Sequence, residues 1–163
     1  MESEDNNLNL KKYEINKQIE SVLLMLEPQW SAKNITLDIS LEETIICGDE
    51  DLLSQVFINL LNNAIKFTPE NGNIGVNLYN NEDGVECKVS DTGIGISSED
   101  QPRIFERFYK ADKARNRSLG GNGLGLSIVK KIIDLHGGKI SLTSEIGKGT
   151  EFIIWLPKVY ERK

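Results

Sequence analysis

Gln55-Val56-Phe57-Ile58-Asn59-Leu60-Leu61-Asn62-Asn63-Ala64-Ile65-Lys66-Phe67-Thr68-Pro69 is the stretch that decides the architecture. At 3.6 residues per turn, Leu53, Val56, Phe57, Leu60, Leu61 and Ala64 fall on one face, so the spacing predicts a one-sided helix over 49–67. Asn59, Asn63 and Lys66 stand at i, i+4 and i+7 and make a second stripe. That stripe borders the apolar face instead of opposing it. Two readings fit: a solvated helix flank, or a polar row lining a cleft. In the second, the Asn carbonyl oxygens suit a hard cation such as magnesium, and Lys66 suits a phosphate.

On the N-terminal side, Leu10, Tyr13 and Ile15 allow a short strand, and Asn16 reads as a helix N-cap. Ile19, Val22, Leu23, Leu26 and Trp30 then repeat at three and four. Ile35, Leu37 and Ile39 alternate as a strand, and Ile45 with Ile46 suggests another. On the C-terminal side, Ile74, Val76, Leu78 and Val85, Cys87, Val89 read as two strands joined by a turn-rich Asn80–Gly84, a hairpin. Ser97 to Asp100 carries a capping-box pattern before a short helix. Leu124 to Leu135 is helical and Gly137-Gly138 ends it. Ile140–Leu142 and Phe152–Leu156 are strands joined through Gly147-Lys148-Gly149, and Pro157 stops the last. Hairpin-linked strands alternating with helices predict one sheet with helices on one face.

The 163 residues fit one domain. A 39% hydrophobic content, raised further by 14 glycines, is that of a folded globular chain. No stretch approaches the ~18 unbroken apolar residues of a membrane span, and the acidic start is no secretory signal. A net charge of -6 argues against general nucleic-acid binding. Cys47 and Cys87 form no CxxC motif and read as two reduced, buried thiols of a cytosolic protein. His136 is the only histidine, which excludes a multi-histidine metal site.

Two further segments carry chemistry. Asp91-Thr92-Gly93-Ile94-Gly95 follows a strand, and its glycines let backbone approach a ligand. Asp-Thr-Gly also marks aspartic proteases, but those need two such aspartates and this pattern is not all-β. Gly120-Gly121-Asn122-Gly123-Leu124-Gly125-Leu126 ends at a helix start, where amides and the helix dipole can hold a phosphate. Neither the GxGxxG fingerprint nor the Walker A pattern is met. Before it, Arg107, Lys110, Lys113, Arg115 and Arg117 stand against Asp112, in what reads as a mobile, anion-facing loop over 107–123.

In order along the chain these segments resemble the ATP-binding catalytic domain of sensor histidine kinases, within the GHKL superfamily. Gln55–Pro69 is similar to the N box and Asp91–Gly95 to the first G box. Ile104-Phe105-Glu106-Arg107-Phe108-Tyr109 is similar to the F box and Gly121–Leu126 to the second G box. Gly147-Lys148-Gly149-Thr150-Glu151-Phe152 matches a closing segment. The resemblance covers roughly 8–157. It implies an α/β two-layer sandwich, with a mixed, mostly antiparallel sheet of about five strands on about three helices. It implies a linker or tail over 1–9, the ATP-binding domain over 10–158 and a C-terminal tail over 159–163.

The resemblance also implies roles. Asn63 would be the main protein ligand of magnesium, supported by Asn59. Lys66 would contact the phosphates and Phe67 would pack on the adenine, where many relatives have Tyr. Asp91 would accept from the adenine amino group, with Thr150 sharing a bridging water. Gly93 and Gly95 would shape the base pocket, and Phe105 and Phe108 would anchor a lid. Gly121, Gly123, Leu124, Gly125 and Leu126 would close over the phosphates. Asn122 stands where relatives often have Thr.

The implied substrate is ATP with Mg2+, and the implied acceptor is a histidine on a separate dimerisation domain. His136, in Leu135-His136-Gly137-Gly138, reads instead as structural. The chain therefore reads as the cytoplasmic catalytic part of a membrane-anchored bacterial sensor. It would be monomeric and unable to autophosphorylate alone, with a response regulator downstream. Asn59 stands where ATPase cousins place a glutamate base, so hydrolysis should be slow. The rivals are an anti-sigma-type serine kinase of the same fold and a degenerate nucleotide-binding scaffold.

Overall fold

The computed structural model describes residues 8–106 and 125–158. The loop expected over 107–123, with Phe108, Gly121 and Gly123, lies outside the described residues, as does Leu124, the expected start of the next helix. So do most of the two tails.

Among the described residues, strands β1 (Leu10–Glu14), β2 (Thr36–Leu41), β3 (Ile45–Asp49), β4 (Asn73–Asn80), β5 (Gly84–Asp91), β6 (Lys139–Glu145) and β7 (Gly149–Pro157) accompany four helices. These are α1 (Ile15–Met25), α2 (Glu27–Ala32), α3 (Glu50–Phe67) and α4 (Gly125–Leu135). Five strands form one sheet in the order β2-β4-β5-β7-β6. β2 runs parallel to β4, and the other neighbours are antiparallel. The parallel pair needs a long crossover, which β3 and α3 provide. The mixed, mostly antiparallel sheet with helices on one face is the architecture expected.

Alternation builds the two layers. Ile74, Val76 and Leu78 of β4, Val85, Cys87 and Val89 of β5, and Phe152, Ile154 and Leu156 of β7 all point into the core. They meet Leu53, Val56, Phe57, Leu60 and Leu61 of α3, and Val129, Ile132 and Ile133 of α4. Each such side chain contributes about 1.5–3 kcal/mol when fully buried. α3 is thus the spine of the helical layer, packed against α1 and α4.

Several local expectations are corrected. β1 and β3 pair antiparallel as a second, two-stranded sheet, with Leu10 opposite Asp49, rather than joining a single sheet. Asn16 is not an N-cap. α1 starts two residues earlier than that cap would place it, at Ile15 after Glu14, and the buried Asn16 Oδ1 accepts from the Thr44 amide at 3.0 Å. The periodicity from Ile19 to Trp30 spans two helices. The chain turns at Leu26, and Pro28 sits in the first turn of α2, where its missing N–H costs nothing. Cys47 is half-buried while Cys87 is buried, and both thiols are free. Ser97 accepts from the Asp100 amide at 3.2 Å as a capping box should, but it leads into a 3-10 turn, Gln101–Arg103.

Candidate functional site

The site is built on the C-terminal half of α3. Asp49 caps that helix, its Oδ1 accepting from the Leu52 amide at 3.1 Å. The far end is held by Lys33, whose Nζ donates to the carbonyls of Ile65 (2.7 Å), Lys66 (3.1 Å) and Thr68 (2.9 Å). A cation on those otherwise unpaired carbonyls also opposes the negative end of the helix dipole. Thr68 Oγ1 adds a bond to the Ala64 carbonyl at 2.6 Å.

The stripe emerges along this ordered end. Asn59 and Asn63 are half-buried, Lys66 is exposed and Phe67 is half-buried. Asn59 Nδ2 donates to the Gln55 carbonyl at 2.9 Å, which turns its Oδ1 outward. A β-carbon on Gly125, at the start of α4, would lie 3.3 Å from that Oδ1. Two motifs 66 positions apart in sequence are therefore neighbours, and Leu126 follows, packed against the core.

Asp91 ends β5 beside them. Its Oδ1 accepts from the Gly93 amide at 2.8 Å, and the Thr150 amide donates to the same carboxylate. Burial raises its pKa above the ordinary carboxylate value, and those two amides only partly offset the shift. Gly93 has no room for a side chain, because a β-carbon would strike the Phe67 carbonyl. That close approach seats the first glycine motif on the end of α3. Gly95 has φ +81°, a left-handed value glycine adopts freely, and it packs on the Glu145 carbonyl.

Thr150 lies opposite Asp91 on β7, and Ser144 lies opposite Thr150 on β6. Ser144 Oγ is 2.8 Å from Thr150 Oγ1 and accepts from the Ile96 amide at 2.7 Å. Gln101 Nε2 donates to the carbonyls of Ile96 and Ser144 at 2.8 and 3.1 Å. Phe105 packs edge-on against Phe152, with centroids 6.3 Å apart, and so roots the F-box segment in the core.

The structure thus brings Asn59, Asn63, Lys66, Phe67, Asp91, Gly93, Gly95, Gly125 and Thr150 to one end of α3 and of the sheet. Lys33, Ser144 and Gln101 are additions that no sequence spacing pointed to. A separate cleft of about 540 Å³, lined by Tyr13, Gln18, Val22, Met25, Ser54 and Ile58, contains none of the site residues. His136 is 3% exposed, donating from Nδ1 to the Ile132 carbonyl and accepting at Nε2 from the Asp49 amide. Its role is structural.

The donor set fits a nucleotide with a hard cation. Among the described residues there is no cluster of three or more His, Cys, Asp or Glu, so a metal here would rely on amide oxygens. Asn59 and Asn63 supply such oxygens, which suit magnesium when phosphates and water complete its shell. Asp91 offers acceptors to a base, and Lys66 a cation to phosphates.

A sequence profile described as "Histidine kinase-, DNA gyrase B-, and HSP90-like ATPase" matches residues 48–160. The chain belongs to this family, and within it to the ATP-binding catalytic domains of sensor histidine kinases. The sensor-like histidine kinase SenX3 of Mycolicibacterium smegmatis is 42% identical over 113 residues, 69% of this chain and 29% of SenX3. The catalytic domain of histidine kinase ThkA superposes with a TM-score of 0.85 and 31% identity, covering 96% of this chain and all of that one. ThkA has also been solved in complex with the response regulator protein TrrA. Full-length ShkA in complex with AMPPNP superposes with a TM-score of 0.82 and 29% identity, covering 96% of this chain and 33% of ShkA. The chain spans 17–29% of the length of the curated relatives it matches. Among the described residues, no helix is long and apolar enough to cross a membrane.

Proposed function

We propose that this chain binds Mg-ATP and donates the γ-phosphoryl group to a histidine on a separate dimerisation hairpin, with a response regulator as the downstream acceptor. The observation that carries the reading is the convergence of the α3 stripe, Asp91 with Thr150, and the Gly125 start of α4. ShkA with AMPPNP and ThkA with TrrA support the nucleotide and the response regulator. We take residues 10–158 as the catalytic domain, in the cytoplasm.

Asp91 accepts from the adenine amino group, with Thr150 beside it, and Phe67 packs on the base. Gly93 and Gly95 keep the pocket wall thin. Lys66 meets the phosphates, with Gly121, Gly123, Leu124, Gly125 and Leu126 as the further phosphate-binding residues. Phe105 and Phe108 complete the proposed nucleotide-binding set. Asn63, supported by Asn59, holds magnesium, which when bound neutralises phosphate charge. In the transfer, the bond from the γ-phosphorus to the bridging oxygen breaks, ADP leaves, and the acceptor imidazole nitrogen bonds phosphorus. The chain's own contribution is alignment and charge. Asn59 cannot take a proton from water at neutral pH, so hydrolysis is slow relative to transfer.

Calorimetric titration with a non-hydrolysable ATP analogue tests the reading. We expect micromolar-to-millimolar affinity, about -8 to -4 kcal/mol. It should strengthen with magnesium in the parent and lose that magnesium gain in Asn63→Ala. Phosphoryl transfer to a supplied histidine hairpin is the second arm. Absence of binding, or binding indifferent to both magnesium and Asn63, would overturn the site. Binding without transfer would favour a scaffold.

A further inference from the structure

We propose that Ser144 sets the hydrogen-bonding polarity of the base pocket. By fixing the Thr150 hydroxyl proton, it leaves Thr150 and Asp91 as a wall of acceptors that selects a nucleobase carrying an exocyclic amino group. This inference rests on the nucleotide site proposed above and names what makes that site selective.

Asp91, Thr150 and Ser144 form one cross-strand row over β5, β7 and β6. Side chains directly opposite on neighbouring strands project to the same face. Thr150 is 8% exposed, so where its hydroxyl points is decided by protein partners rather than bulk water.

Proton counting decides it. A serine hydroxyl has one proton and two acceptor positions. Ser144 Oγ makes three contacts. The Ile96 amide, at 2.7 Å, can only donate to it. The Gly149 carbonyl, at 3.0 Å, can only accept from it. The single Ser144 proton therefore goes to Gly149. Thr150 Oγ1, at 2.8 Å, is left to donate into the remaining acceptor position. The reverse assignment sets a Ser144 lone pair against the Gly149 carbonyl oxygen and forfeits a bond. With its proton committed to Ser144, Thr150 offers only lone pairs elsewhere. In its ionised form the Asp91 carboxylate, already accepting from the Gly93 and Thr150 amides, offers only lone pairs as well.

Such a wall matches the amino group of adenine and repels the carbonyl that guanine carries at the same ring position. Gln101 holds the arrangement in place. Its Nε2 donates to the carbonyls of Ile96 and Ser144, which keeps the Ile96 amide on Ser144. Ser144 is thus a positioning residue that acts through Thr150.

The test uses the full 163-residue chain with magnesium. Competition with a fluorescent nucleotide gives affinities for ATP, GTP and purine riboside triphosphate, which lacks the 6-amino group. For Ser144→Ala we expect the ATP-to-GTP affinity ratio to fall roughly fivefold or more, one hydrogen bond's worth. Affinity for the purine analogue should stay unchanged. Thr150→Val should show the same selective loss, and the double variant should lose nothing further. Ser144→Thr, which keeps the hydroxyl, should retain the preference. If Ser144→Ala fails to fold, Ser144→Cys, a weak hydrogen-bonding group of similar size, reads the same ratio. Equal loss across all three nucleotides would reduce Ser144 to a structural role and overturn the inference. So would an unchanged ratio in a parent that binds ATP. A parent that binds none of the three overturns the site itself, and this inference with it.

Discussion

The Asp91 carboxylate is half-buried and accepts from the Gly93 and Thr150 amides, yet its pKa is still raised by burial. A carboxyl whose folded pKa lies above its unfolded one holds its proton to higher pH in the native state. Its charged form therefore costs folding energy above that window, and stability declines as pH rises through it. Side chains kept at such a cost belong to function more often than to the scaffold. Asp91→Asn keeps an acceptor oxygen for the amides and removes the buried charge. We expect the urea midpoint at pH 7.5 to equal or exceed the parent's. ATP affinity should fall by about 1.5–3 kcal/mol, the worth of a hydrogen bond to a charged group. An unchanged affinity would remove Asp91 from base recognition. Asp91 was legible in the sequence because a strand-ending aspartate before two glycines is a local pattern. Ser144 was not. Its partners are Ile96, Gly149 and Thr150, and the contact with Ile96 spans 48 positions and goes to a backbone amide, which leaves no spacing to read.

At the scale of elements, the strong apolar period of α3 predicts it almost to the residue, and Asp49, placed inside the helix by that period, is instead its cap. Its C-terminal end was not understood, since nothing local indicates that Lys33 closes it. Three carbonyls converge on one ammonium group, and Lys66 and Phe67 lie in the turn this fixes. Lys33→Met keeps the aliphatic stem and removes the donors. We expect a loss of about 1–3 kcal/mol, or roughly 2–4 °C per kcal/mol in Tm for a chain of this size. Amide exchange should accelerate chiefly in the last turn of α3 and the turn into β4. Uniform acceleration across all helices would mean that Lys33 does not act locally. The Asn16 misreading has the mirror-image cause. The residue type suits a cap, but its side-chain oxygen is taken by the Thr44 amide 28 positions away.

Over the whole molecule, layer order was legible from alternation and helical period, while pairing was not. Hydrophobic pattern says which face of a strand is buried, not which strand lies beside it, and so the separate β1–β3 ribbon escaped notice. The piece that ties that ribbon, α3 and α4 together is His136. Its Nδ1–H donates to the Ile132 carbonyl at 2.9 Å, and its Nε2 accepts from the Asp49 amide at 3.0 Å, where β3 becomes α3. An imidazolium has no acceptor nitrogen, so protonation leaves the Asp49 amide unpaired. Burial lowers the His136 pKa below its ordinary 6.5, although the Ile132 carbonyl and the Asp49 carboxylate pull the other way. A depressed histidine stabilises the fold fully above its unfolded pKa and loses that stability as pH falls below it. Most carboxylates titrate near 4, but Asp91, whose pKa burial raises, contributes a slope of opposite sign; with Asp91→Asn as the parent for this comparison, the window from about 6.5 down to 5 isolates His136, the only histidine in the chain. Urea unfolding should therefore give a flat stability from pH 8 to 7 and a decline from pH 6.5 to 5. His136→Phe should be less stable at pH 7.5 by about 1–3 kcal/mol, the cost of a buried amide without a partner. It should also be flat where the parent declines. A parent with no slope in that window, or a variant that keeps the slope, would show that the joint between α4 and the start of α3 is held by packing and not by the neutral imidazole.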